Sequence, residues 1–363
     1  MRRLPALILG MTVSAFVSAP CAHAAPPAER PNIVLIMADD MGFSDLGCYG
    51  SEIATPNLDR LAAEGLRFSQ FYNTARCCPT RACLLTGLYP HQAGVGHMVA
   101  DRGTPAYQGY LNEHCVTIAE AIRRGGYRAM MVGKWHVGEK RPHWPLDRGF
   151  ERYFGLISGA CNYFRLNDNR VMADDNSPYV PSGDFYMTDA FTQRAVEFLD
   201  ACGAGKEPFF LYVAYTAPHW PLHARTEDIA RYKGRYLNGW DALRETRRRK
   251  QIEMGLLDPK WPLTPRDPDA PAWADVRDRE ARDLKMAVYA AQIDRLDQGV
   301  GRILARIRQL GIEQNTLVMF LADNGACAEE VDRGTPGVPP GGPDSFMSYG
   351  LPWANASNTP FRL

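Results

Sequence analysis

The chain has 363 residues, of which 45% are hydrophobic and 23% charged. This composition is typical of a globular protein with a large core and argues against disorder or a fibrous repeat. Because 41 basic residues balance 41 acidic ones, no overall charge favours nucleic acid, and attraction to an anionic substrate must be local.

The N-terminus predicts a cleavable secretory signal over residues 1–24. Met1-Arg2-Arg3 precede an apolar run, and small residues follow at Ala22-His23-Ala24. The run is shorter than the roughly 20 residues of a spanning helix, so we expect no membrane span in the mature chain. We expect a periplasmic or secreted protein that begins near Ala25, with twin-arginine export and lipid attachment at Cys21 as alternatives.

Apolar runs and helical patterns alternate along the rest of the chain. Four runs have the character of buried strands, at 33–38, 129–132, 209–214 and 316–322. Helical patterns lie at about 55–65, 117–124, 188–201 and 283–310. This alternation predicts an α/β/α sandwich with a large, mostly parallel mixed sheet.

Two segments depart from the alternation. Residues 224–282 are rich in charge, proline and tryptophan and predict an insertion over one edge of the sheet. Within it, five of the seven residues in 244–250 are basic, which is more typical of a solvated helix face than of a groove for an anionic polysaccharide. Residues 333–344 are rich in glycine and proline and predict a flexible loop.

Acidic and amide side chains follow the first and the last predicted strands. Asp39 and Asp40 follow the first strand, and Asp323-Asn324-Gly325 follow the last. Ligands bind at the carboxyl ends of strands in open α/β sheets, so these residues can converge. Two carboxylates about 4 Å apart repel by roughly 4 kcal/mol at an effective dielectric near 20, which favours a cation between them. Oxygen donors suit calcium or magnesium better than zinc.

The run Cys77-Cys78-Pro79-Thr80-Arg81 resembles the sequence at which sulfatases convert a cysteine into formylglycine. In that family the converted cysteine lies two residues before a proline and four before an arginine. Cys77 fits this spacing and Cys78 does not. Taken alone, the pair could also be two small buried residues at the start of a helix.

The resemblance to sulfatases runs from Pro31 to the last residue, with the motifs in family order. It implies an alkaline-phosphatase-like fold and one calcium ion held by five ligands. These ligands are Asp39, Asp40, Asp323, Asn324 and the modified Cys77. One departure lies beside the site, where Ala326 replaces the glycine usual after Asp-Asn-Gly.

Two further blocks follow predicted strands and resemble family motifs. By similarity, Lys134 binds the sulfate and His136 acts on the hydrated formylglycine, while His219 contacts the sulfate and the leaving group. Arg81 would orient the hydrate through its planar donors. In the implied chemistry, one hydroxyl of the hydrate attacks sulfur and His219 protonates the leaving oxygen. His136 then removes the proton of the second hydroxyl, so that the aldehyde re-forms and sulfate leaves.

The resemblance also implies partners and a longer domain. The substrate would be an aryl sulfate or a sulfated carbohydrate, and a formylglycine-generating enzyme would mature the chain. The family carries a second sulfate-binding lysine just beyond a block that resembles residues 358–362, and a smaller C-terminal subdomain. Because this sequence ends at Leu363, we expect residues 31–363 to form an incomplete catalytic domain that lacks both.

Two other functions are compatible with parts of this pattern. A phosphate or phosphonate ester hydrolase of the same superfamily would share the sheet and the metal carboxylates. Phosphatases commonly use serine or threonine and often two zinc ions, so Cys77 with Pro79 and Arg81 argues against them, although some phosphonate esterases use formylglycine. An inactive, truncated sulfoglycan-binding homologue is the second alternative. Comparing sulfate with phosphate esters, and testing for turnover, separates these functions.

Overall fold

A mixed β-sheet forms the centre of the computed structural model, which describes residues 30–203, 205 and 207–362. Its strands are β1 (Asn32–Asp39), β2 (Arg128–Gly133), β3 (Arg152–Leu156), β4 (Met172–Asp174), β5 (Ser177–Pro178), β6 (Phe209–Pro218) and β7 (Thr316–Ala322). Their order is β5-β4-β3-β2-β6-β1-β7. The β3–β4 and β4–β5 pairs are antiparallel and every other neighbouring pair is parallel. The predicted signal, residues 1–24, lies outside the described residues.

Helices cover both faces of the sheet. They are α1 (Pro56–Ala63), α2 (Cys77–Thr86), α3 (Ile118–Arg124), α4 (Met187–Gly203), α5 (Thr226–Ala230), α6 (Gly239–Glu253), α7 (Arg279–Gln309) and α8 (Leu351–Ser357). Side chains alternate along β1: Val34 and Ile36 join the core formed with α4 and α7, whereas Leu35 and Met37 join the core formed with α2 and α3. The predicted α/β/α sandwich is therefore confirmed.

The four predicted strands correspond to β1, β2, β6 and β7, and the four helical patterns to α1, α3, α4 and α7. The apolar runs in the sequence do not indicate β3, β4 or β5, which are strands of 5, 3 and 2 residues. None of the helices in the described part of the chain has the length and apolar character needed to cross a membrane. The described cysteines are all free thiols.

The basic run in the predicted insertion differs from its sequence expectation. It lies on α6, which packs against α8 through Trp240 and Trp353, whose ring centroids are 5.2 Å apart. Arg244 and Arg247 are 3% and 0% exposed, so the expectation of a solvated face is wrong for these two residues. The cause is tertiary: Arg247 forms ion pairs with acidic residues near β1, which no local pattern on α6 indicates.

Candidate active site

Strand register brings the predicted site residues to one edge of the sheet. In the parallel ladders, Ala38 pairs with Ala322, Asp39 with Pro218, and Gly133 with Ala214. The residues that follow β1, β2, β6 and β7 therefore emerge side by side at the carboxyl edge. This is the position expected for a ligand site in an open α/β sheet.

The turn after β1 has an uncommon backbone conformation. Asp40 has a φ of 62°, in the left-handed region that aspartate tolerates better than most residues. In a regular strand, neighbouring side chains point to opposite faces. The left-handed turn ends that alternation, and both carboxylates enter the site, where Asp39 is 0% and Asp40 6% exposed.

Two buried cationic side chains, those of Arg81 and Lys134, contact the carboxylates of the site. Arg81 donates to Asp323 Oδ2 from Nε at 3.0 Å and from Nη2 at 2.7 Å, and its Nη2 lies 3.5 Å from Asp39 Oδ2. Lys134 Nζ donates to the same Asp39 oxygen. Burial raises the pKa of Asp39, but Lys134 and Arg81 outweigh it and hold that pKa below its ordinary value.

The other two acidic residues are less well compensated. Burial, reinforced by Asp39, raises the pKa of Asp323 well above its ordinary value despite the contact with Arg81. Burial also raises the pKa of Asp40 to about 6, although His219 partly opposes it. The site therefore concentrates more negative charge than its own side chains stabilise.

Unpaired oxygens show where a cation fits this site. Asp39 Oδ1 and Asp40 Oδ2 are buried and accept no hydrogen bond. Buried polar atoms without partners are rare and need a physical explanation. Together with Asp323 and Asn324 they form a set of oxygen donors of the kind that binds calcium, so the residues present fit a calcium ion.

Asn324 and His219 complete the surroundings of Asp40. Asn324 Nδ2 donates to Asp40 Oδ1 at 2.6 Å, and its amide would have to present oxygen instead to bind a cation. His219 Nε2 lies 3.3 Å from Asp40 Oδ2. This histidine follows β6 and is 9% exposed, slightly more than Asp40 at 6%.

Cys77 is the first residue of α2 and is 6% exposed. Its Sγ lies 3.6 Å from His136 Nδ1. A hydrogen bond from Cys78 lowers the pKa of Cys77 well below its ordinary value; burial opposes this effect, and Lys134 and His136 contribute to the lowering. The position therefore favours negative charge, as the N-terminus of a helix also does.

His136 is buried and faces Cys77 from the loop after β2. Burial, reinforced by Lys134, lowers the pKa of His136, so the ring is neutral near pH 7 and one nitrogen can accept a proton. With a φ of 56°, His136 is, like Asp40, a site residue in the left-handed region. Gly159 lies under the ring: a Cβ there would be 2.7 Å from His136 Nε2.

All the predicted site residues therefore lie together. They are Asp39, Asp40, Cys77, Arg81, Lys134, His136, His219, Asp323 and Asn324. Sequence reasoning missed Tyr289 on α7, which donates to the Asp40 carbonyl at 3.1 Å and to Asp45 Oδ2 at 2.7 Å. Tyr289 braces the left-handed turn from a helix about 250 residues away, and its apolar helical pattern gives no signal of that role.

Comparisons with known proteins agree with this architecture. Residues 31–361 match the family model named Sulfatase. The uncharacterized sulfatase PB10D8.02c of Schizosaccharomyces pombe is 34% identical over 375 residues, which cover 93% of this chain and 67% of that protein. The arylsulfatase of Klebsiella aerogenes is 35% identical over 367 residues, which cover 94% of this chain and 78% of that protein.

A solved structure shows the same likeness. Ps i-CgsB, crystallised in complex with k-i-k-neocarrahexaose, superposes with a TM-score of 0.63 at 30% sequence identity. The match covers 82% of this chain and 59% of that chain. The chain thus spans about three fifths of this solved relative and a larger share of the two curated relatives.

Proposed function

Because this chain belongs to the sulfatase family, within the alkaline phosphatase superfamily of hydrolases, we propose that it hydrolyses sulfate esters with a formylglycine formed at Cys77 and one bound calcium ion. The observation that carries the proposal is the convergence of buried carboxylates, two of them with unpaired oxygens, beside Cys77. The sulfatase family match favours sulfate esters over the phosphate and phosphonate esters that the motifs alone also allow.

The calcium ion would be held by side chains from both ends of the chain. They are Asp39, Asp40, Asp323, Asn324 and the modified residue 77. When present, the ion and the hydrated aldehyde supply a Lewis acid and a nucleophilic hydroxyl of lowered pKa. Because Cys77 is buried in the folded chain, the proposal requires the maturation enzyme to act before this segment folds.

Lys134 would bind the transferred group, and Arg81 would hold Lys134 and Asp323 in place rather than orient the hydrate directly. Lys134 lies close enough to Asp39 and Cys77 for its charge to affect the pKa of both, so its ammonium can bind a sulfate oxygen there. Arg81 uses Nη1 to donate to the Lys134 carbonyl at 2.9 Å and its other donors to hold Asp323. Arg81 therefore fixes the position of both the lysine and a metal ligand.

The two histidines have separate proton-transfer roles in this proposal. Neutral His136, with Nδ1 facing residue 77, can hold the proton removed from the side chain at that position. His219, beside Asp40, can donate a proton to the leaving oxygen. Since the two rings approach the site from the loops after β2 and β6, each can act without displacing the other.

The substrate would be an aryl sulfate or a sulfated carbohydrate. One similar protein is named an arylsulfatase, and another was crystallised with k-i-k-neocarrahexaose. We further propose export to the periplasm or the outside of the cell, because residues 1–24 have the order of charged, apolar and small residues typical of a secretory signal.

The test is to produce the full-length protein together with a formylglycine-generating enzyme. Peptide mass spectrometry should find the aldehyde at residue 77 and an unmodified thiol at Cys78. The matured protein should hydrolyse 4-nitrophenyl sulfate faster than 4-nitrophenyl phosphate and lose this activity on calcium chelation. Cys77→Ala should be inactive, whereas the matched Cys78→Ala should retain activity. An unmodified Cys77 with full activity, or turnover of the phosphate ester alone, would contradict the proposal.

A further inference from the structure

A polar cavity of about 300 Å³ lies between the loop after β3 and the segment 333–346. Its walls include Asn162, Arg165, Arg333, Asp344 and Phe346. The volume is at the lower end of the range for small-molecule sites. We call this cavity the arginine pocket.

The arginine pocket adjoins the active site through a single aromatic side chain. Trp220 follows His219, and the two ring centroids are 4.7 Å apart. On the pocket side, the Arg333 guanidinium lies 6.0 Å from the Trp220 ring centroid, and the Phe346 ring lies 5.9 Å from it. Trp220 therefore lies next to both His219 and the pocket residues Arg333 and Phe346, so a substrate whose leaving oxygen is at His219 would have to pass Trp220 to reach the pocket.

Hydrogen bonds fix the two walls of the pocket relative to each other. Asn162 is 1% exposed; its Nδ2 donates to the Pro343 carbonyl at 2.7 Å, and its Oδ1 accepts from Phe164 N at 2.9 Å. Behind the same walls, His223 Nε2 donates to the Ser345 carbonyl at 2.7 Å. Hydrogen bonds of buried groups thus fix the walls of the pocket.

The charges in the pocket do not balance. Arg165 pairs with Asp344 at 3.2 Å. Arg333 has no carboxylate within ion-pair distance among the described residues, and its side chain lies over Trp220 instead. One guanidinium therefore keeps its donors available beside an aromatic surface, which suits an oxyanion carried on a sugar ring.

We propose that the arginine pocket binds a second anionic group on the carbohydrate that carries the scissile sulfate, with Arg333 as its principal contact. The inference rests on the proposed sulfatase function and narrows the substrate class to carbohydrates with a sulfate or carboxylate on the sugar beyond the leaving oxygen. A small aryl sulfate ends before Trp220 and does not reach Arg333.

The experiment compares Arg333→Ala with the parent in the matured full-length protein, with Arg333→Lys as the conservative variant. Exposed Arg124 on α3 provides the matched control, Arg124→Ala. The substrates are 4-nitrophenyl sulfate, a monosulfated disaccharide, and the same disaccharide with a second sulfate or with a carboxylate on the neighbouring sugar. Thermal unfolding of each variant checks that it folds.

We expect Arg333→Ala to lower kcat/KM for the dianionic disaccharides roughly ten- to hundredfold, mainly through KM, as expected for loss of a charged hydrogen bond. Activity on 4-nitrophenyl sulfate should stay within about twofold of the parent, and Arg124→Ala should match the parent throughout. Whether the sulfate or the carboxylate arm loses more identifies the anion. Equal losses on the mono- and dianionic disaccharides, or no loss, would overturn the inference.

Direct binding separates failure of this inference from failure of the proposed function. In the Cys77→Ala background, calorimetry with the dianionic disaccharides measures the contribution of Arg333 without turnover. Binding of these disaccharides through Arg333 without hydrolysis of any sulfate ester would support the arginine-pocket proposal and contradict the proposed activity. Hydrolysis of 4-nitrophenyl sulfate together with equal disaccharide binding in the presence and absence of Arg333 would support the proposed activity and contradict the arginine-pocket proposal.

Discussion

Two buried charge clusters lie near the end of β1, and they differ in a way that separates a ligand site from a structural ion pair. The active-site cluster combines Asp39, Asp40 and Asp323 with two cations, and the second cluster combines Arg247 with Asp45 and Glu52. In both clusters, carboxyl groups outnumber cationic side chains by one. A count of charges alone therefore does not distinguish them.

Hydrogen bonding does distinguish them. Arg247 donates from Nε and Nη2 to Glu52 and from Nη1 to Asp45 Oδ1, with further bonds to Ser44 and Ser51. Asp45 Oδ2 accepts from the Gly42 amide at 2.9 Å and from a tyrosine hydroxyl. Every carboxylate oxygen in this cluster accepts a hydrogen bond, whereas two carboxylate oxygens of the active site, Asp39 Oδ1 and Asp40 Oδ2, accept none. Unpaired oxygens, rather than excess charge, indicate the place for a cation.

The largest expected effect comes from Asp323→Asn in the matured full-length protein. The variant keeps the shape of the side chain but removes the charge, so we expect turnover to fall at least about a hundredfold. In the parent, calcium at 100 times its Kd should stabilise folding by about 2.7 kcal/mol, and Asp323→Asn should abolish that gain in thermal unfolding. The matched variant Glu52→Gln, in the other cluster, should keep it. Equal calcium stabilisation of parent and Asp323→Asn would contradict the metal assignment.

Arg247→Met should lower folding stability and leave the stabilisation by calcium unchanged, the reverse of what we expect for Asp323→Asn. Removing the arginine leaves the buried Asp45 and the half-buried Glu52 without their cation; breaking a buried pair in this way costs about 3–5 kcal/mol in other proteins. We expect denaturant unfolding to show a loss of this size, while the added stability from calcium stays the same as in the parent. A loss below about 1 kcal/mol would show that the cluster is not the structural element we infer.

The two clusters also differ in how far the sequence predicts them. Asp39, Cys77 and Asp323 each lie in a short local motif next to a strand or a helix start, so the rule that ligands gather at the carboxyl edge places them together. Arg247 and Asp45 are 202 residues apart, and no sequence pattern near either residue indicates that the two form an ion pair. The same limit applies to the arginine pocket, whose two walls come from loops without a repeating pattern. Local chemistry is readable from sequence, and long-range pairing of irregular segments is not.

His223 is a buried group outside both clusters, and its two hydrogen bonds can form together only when the ring is neutral. Its Nε2 donates to Ser345 and its Nδ1 accepts from Tyr163 N at 3.3 Å, so the ring must be neutral. Burial lowers its pKa to about 4, below the unfolded value near 6.5. Its contribution to stability is therefore complete above about pH 6.5 and is lost as the pH falls toward 4.

We expect this loss to amount to about 2–3 kcal/mol between pH 7 and pH 4.5. The measurement is the difference in unfolding free energy between the parent and His223→Gln, which cannot titrate, at each pH. That difference should shrink toward pH 4.5 as the parent loses its advantage. A difference that is independent of pH would mean that His223 titrates normally in the folded protein.

The smallest expected effect tests the solvated part of α6. Arg249 has a side chain that is 66% exposed and lies 3.8 Å from Glu253 one turn later, a surface pair of the kind that contributes little. Arg249→Ala should change the unfolding free energy by less than about 0.5 kcal/mol, against the several kcal/mol expected for Arg247→Met on the same helix. Two arginines separated by one residue would then differ about tenfold in their effect, because one faces water and the other faces Asp45 and Glu52. A large effect of Arg249→Ala would show instead that the whole basic run is structural, and that burial alone does not decide which of its members matter.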